Sequence, residues 1–212
     1  MYQSKVSDGK VIKSFLSPWS LKWVISIPTI VFYPYSINPR TRLFRELSFF
    51  IEWRKKNHSL VRTPRVLKVD YTHLTLVREY IEGNSVHNLG MKCFELLFKA
   101  LAFIHKEGWT LGDPKPSNFL VDTNNRIFVI DAEQAVKTDN IRYMAWDIAL
   151  LLLMTNVYAT IKGNILEFDP KYLLEEYLSI NQRNSIARFS LRYFEKIRSF
   201  RENIMKYMYL EI

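Results

Sequence analysis

The spacing of apolar and polar residues in the first third of the chain differs from the spacing in the rest. Residues 5–33 carry β-branched and aromatic runs broken by turn-forming Gly, Pro and Asp, which predicts strands joined by turns. Arg40 to Lys56 instead repeats apolar residues on one helical face. Residues 65–69 and 74–80 read as two further strands. The pattern therefore predicts a β-rich first part with one helix.

The rest of the chain has mainly helical spacing after a break at Gly83-Asn84. Phe94 to Lys106 repeats apolar residues with a helical period, and Gly108 is placed to end that helix. Residues 119–121 and 127–130, separated by a polar turn, predict a short hairpin. A helix, a polar loop and a hairpin are thus expected in succession.

Together these segments predict an α+β fold with two lobes. A small β-rich N-lobe with one helix is expected over residues 1–82, and a mostly helical C-lobe over residues 83–212. The chain has 212 residues, 48% of them hydrophobic and 15% aromatic, which is enough for a packed core. A ligand would bind in the cleft between such lobes.

Cysteine usage and apolar run lengths bear on the compartment. The single cysteine, Cys93, allows no internal disulfide, which fits a reducing compartment. The N-terminus has no signal-peptide pattern. The apolar stretches Trp23–Tyr33 and Ala149–Met154 are too short or too interrupted to span a bilayer. We therefore expect an intracellular, cytoplasmic protein without a membrane span.

The formal net charge of +9 is concentrated in two segments. The segment from Asn38 to Lys68 contains nine basic residues and only two acidic ones, Glu46 and Glu52. The basic residues are Arg40, Arg42, Arg45, Arg54, Lys55, Lys56, Arg62, Arg65 and Lys68. Two interpretations are open, a solvated helix face or a surface for phosphates of nucleic acid or of an acidic partner. A second basic segment, Arg183 to Lys206, is predicted to form an amphipathic helix whose apolar face packs on the C-lobe.

The polar loop after the first C-lobe helix carries the clearest chemical pattern. Asp113, Lys115 and Asn118 lie in one run, and Asp131 follows thirteen residues after Asn118. This is the D-x-x-x-x-N spacing, followed by a second aspartate, of phosphoryl-transfer sites in protein kinases. Turn chemistry alone also accounts for a run rich in Asp, Pro, Ser and Asn.

Each of these residue types has a role in moving a phosphoryl group, which requires positioning and charge neutralisation. Asp113 is placed to take or orient the proton of the attacking hydroxyl. The oxygens of Asn118 and Asp131 suit Mg²⁺, which usually takes only one or two protein carboxylates. Lys115 would hold the transferring phosphate as a point charge.

Several segments resemble the small atypical kinases of the KEOPS (EKC) complex, which are relatives of the RIO kinases. The resemblance covers roughly residues 8–155. It rests on Thr41-Arg42-Leu43-Phe44-Arg45-Glu46, Thr63-Pro64-Arg65-Val66, Arg78-Glu79-Tyr80-Ile81-Glu82-Gly83, Gly112-Asp113 and Ser117-Asn118. It implies a bilobal protein kinase-like fold that uses ATP and Mg²⁺.

The resemblance also implies roles for further residues. Glu46 matches the helix glutamate that pairs with the ATP-binding lysine, and Lys22 falls at the position of that lysine, with Lys13 as the fallback. Glu79 to Ile81 matches the hinge, whose backbone groups would meet the adenine. Asp147 resembles the helix aspartate that braces the catalytic loop, although it also fits a helix cap.

The chain departs from the family pattern at several places, including Leu111, which replaces the histidine usual before Gly-Asp. No Gly-rich phosphate loop is present, and Ser7 to Lys10 is the only weak candidate. Ala132-Glu133 replaces Phe-Gly after Asp131, so that Glu133 could add a carboxylate beside the metal. Arg78 stands just before the hinge, where it would narrow the adenine pocket or pair with Glu46.

The sequence thus predicts an ATP- and magnesium-dependent phosphotransferase, most simply an atypical Ser/Thr protein kinase that acts on a protein or on itself. The resemblance adds ATP hydrolysis, KEOPS-type partner proteins and tRNA modification as expectations. Two alternatives stay open. One is a kinase of small molecules such as sugars or lipopolysaccharide. The other is a pseudokinase that binds partners or tRNA through its basic surface.

Overall fold

The structure is a computed structural model, and it describes residues 3–16, 30–85, 91–162 and 169–193. The chain divides into two compact units. The first comprises residues 1–84, 111–113 and 118–136, and the second comprises residues 85–110, 114–117 and 137–212. The hairpin over 119–130 therefore belongs to the first unit, while the polar loop before it is divided, with residues 114–117 in the second unit.

The described ranges contain ten strands and five α-helices. In chain order they are β1 (Ser4–Ser7), β2 (Lys10–Ser14), α1 (Pro39–Lys55), β3 (Val61–Arg62), β4 (Val66–Asp70), β5 (Thr75–Glu79), β6 (Asn84–Ser85), α2 (Met91–Lys106), β7 (Trp109–Thr110), β8 (Phe119–Val121), β9 (Ile127–Val129), β10 (Val136–Lys137), α3 (Ile141–Lys162), α4 (Pro170–Leu178) and α5 (Asn184–Arg192). The predicted mixed α+β class, with its strands mostly early and its helices mostly late, is confirmed.

An antiparallel sheet of order β1-β2-β5-β4 forms the larger β-structure of the first unit. Asp8 and Gly9 have φ angles of 51° and 68°, and Ser7 pairs with Lys10 across them. Positive φ at both central residues is the requirement of a two-residue hairpin turn. The only sequence candidate for a phosphate loop is therefore a tight hairpin turn.

Helix α1 matches the predicted helix closely. The side chain of Asn38 accepts hydrogen bonds from the backbone N–H groups of Arg40 and Thr41, and Pro39 occupies the first turn. The face that carries Leu43, Leu47 and their neighbours is buried. Two charged residues, Arg42 and Glu46, lie one turn apart within that buried face.

The predicted hairpin is confirmed and lies in the second sheet of the first unit. Strand β8 pairs antiparallel with β9, with Phe119 opposite Val129, and β9 pairs in parallel with β3. The N–H of Ile130 donates to the carbonyl of Asn118 at 2.9 Å. Because Asn118 precedes β8 and Asp131 follows β9, both residues lie at the same end of the hairpin.

The second unit is helical, as predicted. Helix α3 packs on α5, and α2 packs on α4. Helix α2 ends at Lys106, and Gly108 beyond it is the expected helix stop, with a φ of 73° and an N–H that donates to the carbonyl of His105. The predicted basic helix over 183–206 is present as α5, and its residues beyond 193 lie outside the described part.

One described helix bears on the sequence expectation that the chain has no membrane span. Within the described ranges, Ile141–Ile161 of α3 is long and apolar enough to cross a membrane by length and composition alone. The run 149–154 looked too short because the helix begins eight residues before it. Half of its most apolar stretch is buried inside the protein.

Candidate functional site

A cluster of buried charges centres on Lys13. Its Nζ lies 2.6 Å from Glu46 Oε2, 2.9 Å from Asp131 Oδ1 and 3.8 Å from Glu133 Oε2. Lys13 is only 2% exposed. The expected pair between Glu46 and a lysine therefore forms with Lys13, the fallback residue. Lys22, the first choice from the sequence, lies outside the described residues.

Three elements bring these groups together. The alternation of β2 directs Val11 and Lys13 to its buried face. Helix α1 supplies Glu46, and the end of the β8–β9 hairpin supplies Asp131. Each carboxylate meets the ammonium because a strand, a helix and a hairpin converge at one point.

The charges of the cluster support one another. Burial by itself lowers the pKa of Lys13, but the carboxylates of Asp131, Glu46 and Glu133 outweigh it and raise that pKa above its ordinary value. Burial also raises the pKa of Glu46 to about 7, with Lys13 acting in the opposite direction. The lysine is thus held as a cation, and its position depends on the carboxylates around it.

Glu133 holds the residues after Asp131 against helix α1. Its Oε2 accepts hydrogen bonds from Arg42 Nη1 at 2.9 Å and from Gln3 Nε2 at 3.1 Å. Arg42 also donates to the carbonyl of Phe15 at 2.8 Å. Glu133 is 2% exposed and Arg42 is fully buried. The idea that Glu133 adds a carboxylate beside a metal is therefore wrong, because its carboxylate is an internal ion-pair partner.

Gln134 makes a second attachment to the same region. Its Oε1 accepts from the N–H of Ser36 at 2.8 Å and from Arg45 Nη1 at 3.2 Å, and its Nε2 donates to the carbonyl of Ser36 at 2.9 Å. Tyr33 Oη donates to the Gln134 carbonyl at 2.8 Å. Residues 131–134 are therefore fixed from several sides.

Asp113 and Asn118 are joined within the polar loop. Asn118 Nδ2 donates to the carbonyl of Asp113 at 2.8 Å, which leaves Asn118 Oδ1 as the oxygen for a ligand. The carbonyl of Gly112 accepts from Tyr35 Oη at 2.6 Å. Gly112 has φ 74°, and a Cβ there would lie 2.3 Å from Tyr33 Cε1. Only glycine fits at this position, directly before the candidate base.

The remaining predicted site residues are Lys115 and the hinge residues Glu79 to Ile81. Lys115 is half-buried and belongs to the second unit, one residue before a 3₁₀ turn over Pro116–Asn118. At the hinge, the N–H of Glu79 donates to the carbonyl of Arg65 at 3.0 Å, and that of Tyr80 donates to Gly9 at 3.0 Å. Across the described ranges, no hydrogen bond involves the N–H of Ile81. Of these three N–H groups, that of Ile81 is the one suited to a ligand.

The oxygen donors fit magnesium as a partner of bound phosphate. The side chain of Asp131 keeps 23% exposure despite its bond to Lys13. The described residues contain no group of three or more His, Cys, Asp or Glu side chains that could hold a metal ion. One carboxylate and one amide oxygen match the way Mg²⁺ uses few protein ligands and completes its shell with water and phosphate oxygens.

Arg78 does not pair with Glu46, contrary to one of the two sequence alternatives. Strand β5 holds it with 6% exposure. No ion pair or hydrogen bond to another described residue reaches its guanidinium, and its Nε is completely covered. Glu46 is paired with Lys13 instead.

Asp147 lies in a buried polar network of the second unit. Its Oδ2 is 3.2 Å from His105 Nε2, while His105 Nδ1 is 2.8 Å from Tyr177 Oη. Asn181 Nδ2 donates to the same hydroxyl at 3.0 Å. Because α3 begins at Ile141, Asp147 stands inside the helix, and the alternative that it caps the helix is wrong.

Comparison with protein-family models and with curated proteins finds no match. Among solved structures, the chain is similar to the bifunctional kinase-methyltransferase WbdD, with 15% identity, a TM-score of 0.45, and coverage of 89% of this chain and 47% of that chain. It is also similar to the Rio2 kinase of Chaetomium thermophilum in an ADP/Mg²⁺-phosphoaspartate complex, with 15% identity, a TM-score of 0.46, and coverage of 77% and 55%.

A third similar structure is Rv3197 of Mycobacterium tuberculosis in complex with erythromycin, with 14% identity, a TM-score of 0.40, and coverage of 74% of this chain and 48% of that chain. The chain spans about half the length of the solved chains it matches. At this level of identity, function rests on the site itself rather than on the likeness.

Proposed function

We propose that the chain is a phosphotransferase that uses ATP and Mg²⁺. The observation that carries the proposal is the position of Lys13 between Glu46 and Asp131, at 2.6 and 2.9 Å. A lysine oriented by a helix glutamate beside a metal-binding aspartate is the arrangement that kinases use to hold nucleotide phosphates.

The nucleotide side of the site is assigned to the first unit. Lys13, oriented by Glu46, binds phosphate oxygens. Asp131 and Asn118 Oδ1 hold Mg²⁺, whose charge neutralises the phosphates when it is bound. The backbone of Glu79 and Ile81 meets the base, with the N–H of Ile81 as donor.

The transfer itself is assigned to the polar loop. Asp113 accepts a hydrogen bond from the acceptor hydroxyl and takes its proton as the oxygen attacks the γ-phosphorus. The bond from the γ-phosphorus to the β–γ bridging oxygen breaks in the same transfer, and ADP leaves. Lys115 steadies the transferring phosphoryl group by its charge. Neither role needs a covalent intermediate on the protein, because positioning and electrostatics supply most of the acceleration.

The acceptor that we propose is a Ser or Thr hydroxyl of a protein, including this chain itself, in the cytoplasm. The support is the protein-kinase spacing of Asp113, Asn118 and Asp131 together with the single cysteine. A role beside KEOPS-type partner proteins and tRNA rests only on the sequence resemblance. The exposed basic residues of 38–68 are the surface on which such a role would depend.

The test is incubation of the purified protein with γ-labelled ATP, with and without magnesium, followed by measurement of label on protein and of free phosphate. We expect turnover in the wild type, and a loss of about a hundredfold or more in Asp131→Asn and in Asp113→Ala, because each removes a charge aimed at the transferring group. Turnover that survives Asp131→Asn unchanged would falsify the metal assignment.

Two lysine variants test which ammonium group binds the phosphates. Lys13→Met is expected to abolish turnover and nucleotide binding, because it removes the cation held by Glu46 and Asp131. Lys22→Met is the matched control and is expected to keep both. The reverse result would move the phosphate contact to Lys22 and leave Lys13 with a purely structural role.

A further inference from the structure

Arg78 lies beside Lys13 on the buried face of the larger sheet. Strands β2 and β5 pair with Lys13 opposite Leu76 and Val11 opposite Arg78. Lys13 and Arg78 are therefore diagonal neighbours on one face, a spacing of about 7–8 Å between backbones. All four of these side chains are buried, as one shared face requires.

The guanidinium of Arg78 is buried without a bonded acceptor in the part of the chain that the structure describes. Among the residues that the structure describes, none accepts a hydrogen bond from it or forms an ion pair with it, and its Nε is fully covered. Burial lowers the pKa of Arg78, while the charges of Glu46, Asp131 and Glu79 act to raise it. The carboxylates are thus close enough to act on Arg78 by their field but do not bond to it.

Those carboxylates already serve other cations. Glu46 Oε2 and Asp131 Oδ1 accept from Lys13, and Glu133 Oε2 accepts from Arg42. A buried charge without a hydrogen-bond partner is unfavourable in the folded state. Such a charge is expected where a bound ligand supplies the hydrogen-bond acceptor. Among the described residues, Glu46 Oε1 also has no hydrogen-bond partner, so it is an internal alternative for Arg78.

We infer that Arg78 is a ligand-binding cation of this site, which donates to the phosphate oxygens of a nucleoside di- or triphosphate beside Lys13. The inference rests on the proposed function and names the part of the ligand that Arg78 recognises. A guanidinium presents several N–H donors in a fork that matches phosphate oxygens. Arg78 then supplies affinity for the polyphosphate rather than narrowing the space for the base.

This role has a signature that a structural role lacks. Arg78→Met keeps the length and the apolar stem but removes the unsatisfied charge. The unliganded protein should become more stable, while its affinity for polyphosphates falls, so the two effects have opposite signs. A residue that only supports the fold would lower both.

The experiment compares the full-length wild type with Arg78→Met. Arg40→Met is the matched control, since it removes the same charge from an exposed position on α1. Urea denaturation without ligand measures stability. Isothermal titration measures binding of magnesium-ADP and of magnesium-pyrophosphate.

We expect Arg78→Met to raise the urea midpoint and to weaken both probes by about tenfold or more, which is about 1.4 kcal/mol of binding free energy. Arg40→Met should change neither affinity by more than about threefold, because an exposed charge is screened. Pyrophosphate is the sharper probe, because it lacks a base and reports the phosphate contact alone.

Three outcomes overturn the inference. Equal or tighter ADP binding by Arg78→Met means that Arg78 narrows the base pocket. A lower urea midpoint means that Arg78 is paired internally, with Glu46 Oε1 as the partner. A wild type that binds neither probe leaves no phosphate for Arg78 to meet.

The same data separate this inference from the proposed function. Turnover that depends on Asp131, with Arg78→Met binding unchanged, would leave the phosphotransferase standing and reject the role of Arg78. Binding that depends on Arg78, with no ATP turnover, would leave a phosphate-binding protein that is not an enzyme.

Discussion

Two arginines are buried in the first unit, and their surroundings differ in kind. Arg42 on α1 donates to Glu133 at 2.9 Å and to the carbonyl of Phe15 at 2.8 Å. Arg78 on β5 makes no such bond within the described part of the chain. Arg42 connects α1 to the residues after Asp131, whereas Arg78 has no bonded partner among the described residues.

The difference teaches which buried charges serve the fold and which serve a ligand. A buried ion pair with good hydrogen bonds costs much to break but adds little over an apolar replacement. A buried cation left unpaired lowers stability in every unliganded molecule. The presence of such a cation points to a functional role, because functional sites often contain groups that lower the stability of the protein.

The largest effect is expected for Arg42→Met, which removes the closest cationic partner of the buried Glu133 carboxylate and leaves it Gln3 and the more distant Lys13. Removal of one member of a buried pair costs about 3–5 kcal/mol. Urea denaturation measures the free energy of unfolding. A loss below about 1 kcal/mol would show that Glu133 finds another donor, and the contrast with Arg78 would then be lost.

A double replacement sharpens the same comparison. Arg42→Met with Glu133→Leu removes both charges and leaves apolar side chains of similar volume. We expect it to recover most of the stability lost by the single variant, to within about 1–2 kcal/mol of the wild type. A double variant as unstable as the single one would show that Arg42 acts through Phe15 or through packing instead of through Glu133.

The single replacement of Arg78 has the opposite expected sign. Arg78→Met should raise the free energy of unfolding by about 1–3 kcal/mol, the range for relief of an unsatisfied buried polar group. Measured beside Arg42→Met, it gives the comparison its clearest form. Two replacements of the same chemistry in the same unit would move stability in opposite directions.

Much of the fold could be predicted because local signals agree with the tertiary structure. The helix over 40–56 is observed over Pro39–Lys55, with Asn38 as its cap. The hairpin 119–121 and 127–130 is observed with Phe119 opposite Val129. Helical periodicity, caps and a short polar turn are properties of neighbouring residues, so a sequence reveals them.

The partners of the charged residues could not be predicted in the same way. Arg42 and Arg45 belong to the basic run 38–68, yet Arg42 is fully buried. Arg54, Lys55, Lys56 and Arg65 of that run are exposed. A partial signal existed, because Arg42 and Glu46 lie one turn apart beside Leu43. Their partners are distant in sequence, and only tertiary packing brings them together.

The choice between Lys13 and Lys22 shows the same limit. The resemblance pointed to Lys22 because residues 15–22 are similar to the family segment that carries the lysine, and Lys22 lies outside the described residues. The spacing Val11 to Lys13 within a short strand already placed Lys13 on the same face as an apolar neighbour. Residues of α1 and of the end of the β8–β9 hairpin contact Lys13 on that face, and no local pattern reveals these distant neighbours.

The smallest effect concerns Arg45, a third arginine between the two extremes. It is half-buried and donates to the carbonyl of Pro34 at 2.8 Å and to Gln134 Oε1 at 3.2 Å. Both acceptors are neutral, and Gln134 keeps its bonds to Ser36 when Arg45 is removed. Arg45→Met should therefore lower the free energy of unfolding by about 1 kcal/mol, the usual net contribution of a hydrogen bond.

Urea denaturation measures this loss, and Arg40→Met is the control. Arg40 is exposed and carries the same charge, so the comparison separates the effect of the hydrogen bonds of Arg45 from the change in net charge. A loss of unfolding free energy close to that of Arg42→Met would contradict this. It would mean that these arginines stabilise the protein by attaching residues 133–134 to α1, and that the charge of the acceptor matters little.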